Sequence, residues 1–126
     1  MCDGVPLGPV AEAHGTPLYV YSRAALVRAY RAFDAAFRDR PHLVCFAMKA
    51  NDHLAILRLL AREGAGFEVV AGGELWKALR AGAHARKIVF PGVGKTEAEI
   101  EYALRQGIGM LNVESPQELD AVARVA

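Results

Sequence analysis

From residue 43 onward, short apolar runs alternate with stretches of helical periodicity, and this alternation restricts the fold more than any other feature of the chain. Residues 43–48, 67–71, 87–90 and 110–113 are apolar runs of strand length. Between them, residues 54–63, 74–80 and 97–105 read as helices, and so does the stretch from Pro116 to the end. Gly64, Gly82 and Gly107 follow the first three of these helices, where a left-handed C-cap is least costly for glycine. The order is βαβαβαβα, which implies a parallel sheet with right-handed crossovers. The runs are almost continuously apolar, the pattern of strands covered on both faces. A doubly wound sheet and a (β/α)8 barrel both fit this rhythm. A barrel takes about 250 residues, so this chain of 126 holds only four of its units.

The part before residue 43 is different. Residues 1–15 carry Gly4, Pro6, Gly8, Pro9 and Gly15 and read as an irregular leader with at most a short helical turn. Residues 18–21 form a short β-prone run. Ser22 can cap a helix reaching to about Phe37, with Leu26, Ala29, Tyr30, Phe33 and Phe37 along one apolar face, and Arg40-Pro41 ends it. Two later helix starts carry capping boxes, Thr96 with Glu99 and Ser115 with Glu118, the second with Pro116 at the first helical position.

Composition removes several function classes. The formal net charge of +1, with both signs interspersed, gives no electrostatic reason to expect nucleic acid or a membrane as partner. Hydrophobic residues at 53% and charged residues at 23% describe a globular chain. The two cysteines, Cys2 and Cys45, make no disulfide framework. With no signal peptide or spanning apolar run, they point to a reducing, cytoplasmic setting. The four histidines follow no metal-ligand spacing, and no metal site is expected.

The residue with most chemical potential is Lys49, in the stretch FAMKAN at the end of the first apolar run. In parallel barrels that end of a strand faces the active site. By strand alternation, Cys45, Ala47 and Lys49 share one face. A partly desolvated lysine becomes a usable amine nucleophile for Schiff-base chemistry. The plainer alternative is a lysine that ends a strand and reaches into water. Glu68, near the start of the second run, and Glu74, just after it, are acids that could stabilise a charged Schiff base or simply be solvated. Gly72-Gly73 suits a tight strand-to-helix turn. PGVGKT (residues 91–96) resembles a phosphate loop, but the Walker pattern needs glycine where Val89 stands. It reads instead as a strand-to-helix loop capped by Thr96. Trp76 reads as packing.

Five stretches taken together resemble the diaminopimelate decarboxylase family: TPLYVYS (16–22), CFAMKAN (45–51), GAGFEVVAGGEL (64–75), IVFPGVGKT (88–96) and NVES (112–115). They occur in that family's order and spacing. The resemblance implies a pyridoxal-phosphate enzyme with an α/β fold, the parallel (β/α) barrel of the alanine racemase class. Residues 22–126 would be the N-terminal half of the barrel. Residues 1–21 would be a leader and the lead strand of a separate β domain. It implies Lys49 as the lysine that binds pyridoxal 5'-phosphate through a Schiff base, Ala47 as a residue lying against the cofactor, and Glu68 near the Schiff base. It also implies a homodimer with shared active sites, and decarboxylation of meso-diaminopimelate to L-lysine and carbon dioxide. Relatives of the class act on ornithine, arginine, carboxynorspermidine or carrier-bound amino acids.

The sequence departs from the family pattern in placing Glu68 where aspartate is usual, Ala71 where serine is usual and Pro91 where serine is common. The family's glycine-rich phosphate site, the acidic partner of the pyridine nitrogen, the stacking histidine and the carboxylate-binding arginine lie further along the chain in relatives. A segment inactive by itself is therefore expected. Two rival readings are a non-catalytic half-barrel that self-associates through its open sheet edges, and a single-barrel regulatory protein.

Overall fold

The computed structural model describes all 126 residues. Helices α1 (Leu7–His14) and α2 (Arg23–Ala36) precede a regular alternation of strands and helices. This runs β1 (Cys45–Ala47), α3 (Leu54–Glu63), β2 (Gly66–Glu68), α4 (Gly72–Arg80), β3 (Ile88–Phe90), α5 (Glu97–Gln106), β4 (Met110–Leu111) and α6 (Pro116–Val125). Short 3-10 turns occupy Met48–Ala50 and Ala85–Lys87. No helix is long and apolar enough to cross a membrane.

The four strands are parallel and lie in the order β1-β2-β3-β4. Every crossover therefore steps in the same direction. With right-handed connections, that places α3, α4 and α5 on one face of the sheet, which is how a barrel winds. A doubly wound sheet would reverse direction at a switch point.

Register divides the sheet into two rows. Phe46, Phe67 and Ile88 are aligned, and Phe67 and Ile88 are fully buried. They pack with Val69, Phe90, Leu57, Leu75 and Ala78 into one core between sheet and helices. The alternate row runs Ala47, Glu68, Val89, Met110, and it is only half-buried, with Met110 exposed. The apolar runs suggested strands covered on both faces. In this chain the helices cover one face, and the second is open.

The strands are shorter than the apolar runs because the chain turns away as soon as the ladder ends. The run 18–21 forms no strand: it pairs with nothing, and Leu18, Tyr19, Val20 and Tyr21 are all exposed. The leader contains a helix of two turns, α1, and an isolated bridge between Cys2 and Val5. Ser22 caps α2 as expected, accepting from the Ala25 N–H at 2.9 Å, while Asp3 accepts from the Ser22 hydroxyl and the Ala24 N–H. Of the apolar face of α2, Leu26 and Tyr30 pack on the core, but Phe33 and Phe37 stay largely exposed.

Gly109 marks the tightest approach. It sits just before β4, and its N–H donates to the carbonyls of Ala85 and Ile88 at 3.1 and 3.0 Å. A Cβ there would lie 2.2 Å from the Arg86 carbonyl oxygen, so backbone would have to move. Gly109→Ala is expected to cost about 1–3 kcal/mol, by the overpacking of a site with no room. Gly73→Ala, in the first turn of α4 with nothing within 4 Å of the new carbon, is expected to be neutral or slightly stabilising. Urea midpoints of the two variants test the contrast.

Candidate functional site

The C-terminal ends of all four strands and the loops that follow them lie at one end of the sheet. Lys49 sits there, but not by strand alternation. β1 ends at Ala47, and Lys49 is the middle residue of the 3-10 turn Met48–Ala50. Met48 is buried and anchors that turn in the core, while Lys49 is exposed. No carboxylate lies within ion-pair distance of its ammonium. Beyond the turn, Asn51 accepts from the His53 N–H at 3.0 Å, and Asp52 pairs with Lys77 of α4. The Asp52–Lys77 contact ties the segment carrying Lys49 to the neighbouring unit. The Lys77 hydrogen bond holds the Asp52 carboxyl below the usual carboxylate range.

Ala47 and Glu68 are the last residues of β1 and β2 and are aligned across the ladder, both half-buried on the open row. Three residues singled out in the sequence thus lie at the same end of two adjacent strands. A cleft of about 660 Å³ lies elsewhere, bounded by Tyr19, Tyr21, Leu26, His53 and Arg58. Lys49, Ala47 and Glu68 are not among its lining residues. No cluster of His, Cys, Asp and Glu is arranged to hold a metal ion.

The helix starts at this end share a device that local sequence reading caught only in part. α4, α5 and α6 each carry glutamate at the third helical position: Glu74, Glu99 and Glu118. Each carboxylate turns back to accept from a backbone N–H that precedes its helix, a way of satisfying donors the helix leaves unpaired. Glu74 accepts from Val70 at 2.8 Å, so it closes its own helix start and Gly72-Gly73 is the first turn of α4. Glu99 completes the Thr96 box, accepting from Thr96 N–H at 3.0 Å, and with its other oxygen accepts from Gly72 N–H of the preceding unit at 2.8 Å. Glu118 reaches Glu114 N–H at 2.7 Å rather than Ser115, so the second box is half formed, although Ser115 still caps Glu118 N–H.

Glu118 also meets Lys95, at 2.7 Å, with the lysine side chain 2% and the glutamate side chain 10% exposed. This buried pair was not legible in the sequence. PGVGKT does form a loop capped by Thr96, but its lysine turns inward. The Lys95 ammonium and the Glu114 N–H hold the Glu118 carboxyl below the usual range.

For Glu99, the Gly72 N–H first, and then the Thr96 N–H and hydroxyl, hold the carboxyl below the usual range. A depressed folded-state pKa contributes stability that is full above the unfolded value, about 4.3. That contribution is lost as pH falls through the lower folded value. Glu99→Gln is expected to cost about 1–2 kcal/mol at pH 7, with the gap to wild type closing as the pH falls below the carboxylate range. Urea titrations at several pH values check the sign.

Four sequential parallel βα units with helices on one face define a segment of a (β/α) barrel. The sequence profile of the family described as "Pyridoxal-dependent decarboxylase, pyridoxal binding domain" matches residues 23–126, and the chain belongs to that family. The diaminopimelate decarboxylase of Vibrio cholerae serotype O1 is 53% identical over 98% of this chain and 30% of its own length. That of Neisseria meningitidis serogroup A is 50% identical over 99% of this chain and 31% of its own length. The solved diaminopimelate decarboxylase from M. jannaschii in co-complex with L-lysine superposes with a TM-score of 0.95 at 38% identity, over 99% of this chain and 30% of that one. The chain therefore spans about 30% of the length of the curated relatives it matches. The expected alanine-racemase-like barrel is the architecture of these neighbours.

The C-terminal end of the sheet, the mouth of the barrel segment, carries groups of the kind that could hold one end of pyridoxal phosphate. It offers a free primary amine, a small residue that leaves room for a flat ring, and a carboxylate aligned beside it. It offers less to the phosphate, because the N–H groups of Val70, Gly72, Gly92 and Glu114 already donate to carboxylates.

Proposed function

We propose that this chain is the cofactor-anchoring segment of a pyridoxal-phosphate-dependent diaminopimelate decarboxylase, which converts meso-diaminopimelate to L-lysine and carbon dioxide. The observation that carries the reading is the exposed Lys49 amine at the C-terminal end of β1, inside the stretch that matches a pyridoxal-binding domain. The substrate rests on the names of relatives that are about half identical along the whole chain.

Bound pyridoxal phosphate supplies an electron sink for the bond to the departing carboxylate. Everything else falls to the protein. Lys49 Nζ would hold the cofactor, as the exposed primary amine at the end of β1. Ala47, with only a methyl group, would leave room for a flat ring. Glu68, aligned with Ala47 across the ladder, would offer a negative charge that favours a cationic group held at this end of the sheet. Glu74 is assigned to capping. The phosphate is held by residues outside this chain.

In the same reading, residues 1–21 belong with a separate β domain and residues 22–126 with the barrel. The uncovered Leu18, Tyr19, Val20 and Tyr21 support the first assignment, and the uncovered sheet row the second. The full-length protein is then a cytoplasmic homodimer.

The test is carbon dioxide release by the full-length gene product, loaded with pyridoxal phosphate. Turnover of meso-diaminopimelate well above that of ornithine, arginine and lysine is expected. Turnover of one of those three with none of diaminopimelate would overturn the substrate assignment. No turnover of any amino acid would favour a non-catalytic half-barrel.

A further inference from the structure

We propose that Lys95 is a positioning residue: its buried ammonium ties the loop between β3 and α5 to the start of α6 and so fixes the backbone of Gly92 and Glu114 at the mouth. Lys95 Nζ donates to the Gly92 carbonyl and to Glu118 Oε1. Glu118 Oε2 accepts from Glu114 N–H at 2.7 Å, and Glu114 Oε1 accepts from Gly92 N–H at 3.4 Å. The contacts close a ring through Gly92, Lys95, Glu118 and Glu114. Gly92 has φ +105°, a conformation that side chains other than hydrogen rarely adopt, so the loop needs a restraint to stay in one shape. The ring also hangs from the end of the sheet: Lys95 Nζ lies 5.6 Å from the ring centroid of Phe90, the last residue of β3, which is fully buried.

Stability alone is a poor reason for such a pair. Desolvation offsets most of the attraction inside a protein, and apolar replacement of both partners is often neutral or better. What the pair does supply is geometry: Lys95 Nζ holds the Gly92 carbonyl and Glu118 at once, so two consecutive βα loops cannot move independently. The consequence for cofactor capture rests on the proposed function; the consequence for loop motion does not.

The experiment compares the full-length gene product with a Lys95→Met/Glu118→Leu variant, which leaves no orphaned buried charge. The global unfolding midpoint is expected to stay near that of wild type. Hydrogen exchange at the Gly92 and Glu114 amides should accelerate about tenfold, the scale of a lost charge-assisted hydrogen bond, while Phe67 stays protected. The pyridoxal phosphate concentration for half-saturation should rise by about the same factor. Unchanged exchange at Gly92 and Glu114 overturns the proposal, and so does altered exchange with unchanged cofactor affinity. If the double variant does not fold, Glu118→Gln is read at the same amides, and unchanged protection there is equally fatal. If wild type itself binds no pyridoxal phosphate, the proposed function and the cofactor role of Lys95 both fall, while exchange still decides whether the ring fixes the loops. Cofactor binding with the affinity of the double variant intact sinks the Lys95 proposal alone.

Discussion

Lys49→Ala in the full-length gene product should lower kcat on the order of 10³-fold or more, the scale of losing the group that carries covalent catalysis. The fold should survive. Lys49 is exposed and makes no ion pair, and the turn around it is anchored by the neighbouring buried Met48. Removing the amine therefore removes chemistry without opening a cavity. Lys77→Ala is the control. The Lys77 side chain is 38% exposed and that of its partner Asp52 50%, and an ion pair this exposed contributes little, so turnover within a few-fold of wild type is expected. Steady-state kinetics with a near-wild-type thermal profile for both variants separates the two. Retained turnover in Lys49→Ala would remove Lys49 from the mechanism.

Phe67→Ala should give the largest loss of stability, about 3–5 kcal/mol. Phe67 is the middle residue of β2, fully buried, aligned with Phe46 on one side and Ile88 on the other, and packed under the helices. Truncation would leave a void at the centre of the only core, where neighbouring strands cannot collapse without losing register. Phe33→Ala supplies the comparison. That residue is 59% exposed, and its ring meets the Phe37 ring in a tilted contact at 5.3 Å, with Phe37 itself 46% exposed, so a change within about 0.5 kcal/mol is expected. Urea unfolding of both variants measures the difference.

Much of the architecture is legible in the sequence because it is written locally. The helix 54–63 is found at Leu54–Glu63, with Gly64 left-handed after it, since periodicity and a breaker residue are both local signals. Thr96 caps α5 for the same reason. The strand order and the open face were not legible, because an apolar run reads alike whether one face or both are covered. The run 18–21 shows the opposite failure. Its β-prone residues find no partner strand in this chain, and propensity without pairing makes no strand.

At the mouth the division is similar. Lys49 can be placed at the end of its strand from FAMKAN, but the 3-10 turn that carries it could not be, because alternation has no marker for where a ladder stops. The roles of Glu99 and Glu118 were half visible. A capping box names the partner within its own helix start, whereas Gly72 and Lys95 come from the preceding unit or loop, at sequence distances no local rule covers. Lys95 itself looked like part of a failed phosphate loop and proved to be a buried cation.

The central claim is that Lys49 is the amine that holds pyridoxal phosphate, and reductive trapping tests it most directly. The protein would be mixed with pyridoxal phosphate, treated with borohydride and mapped by peptide mass. A single label on Lys49, absent in Lys49→Ala, is the predicted result. A label on another lysine, scattered labelling over many, or none would contradict the claim.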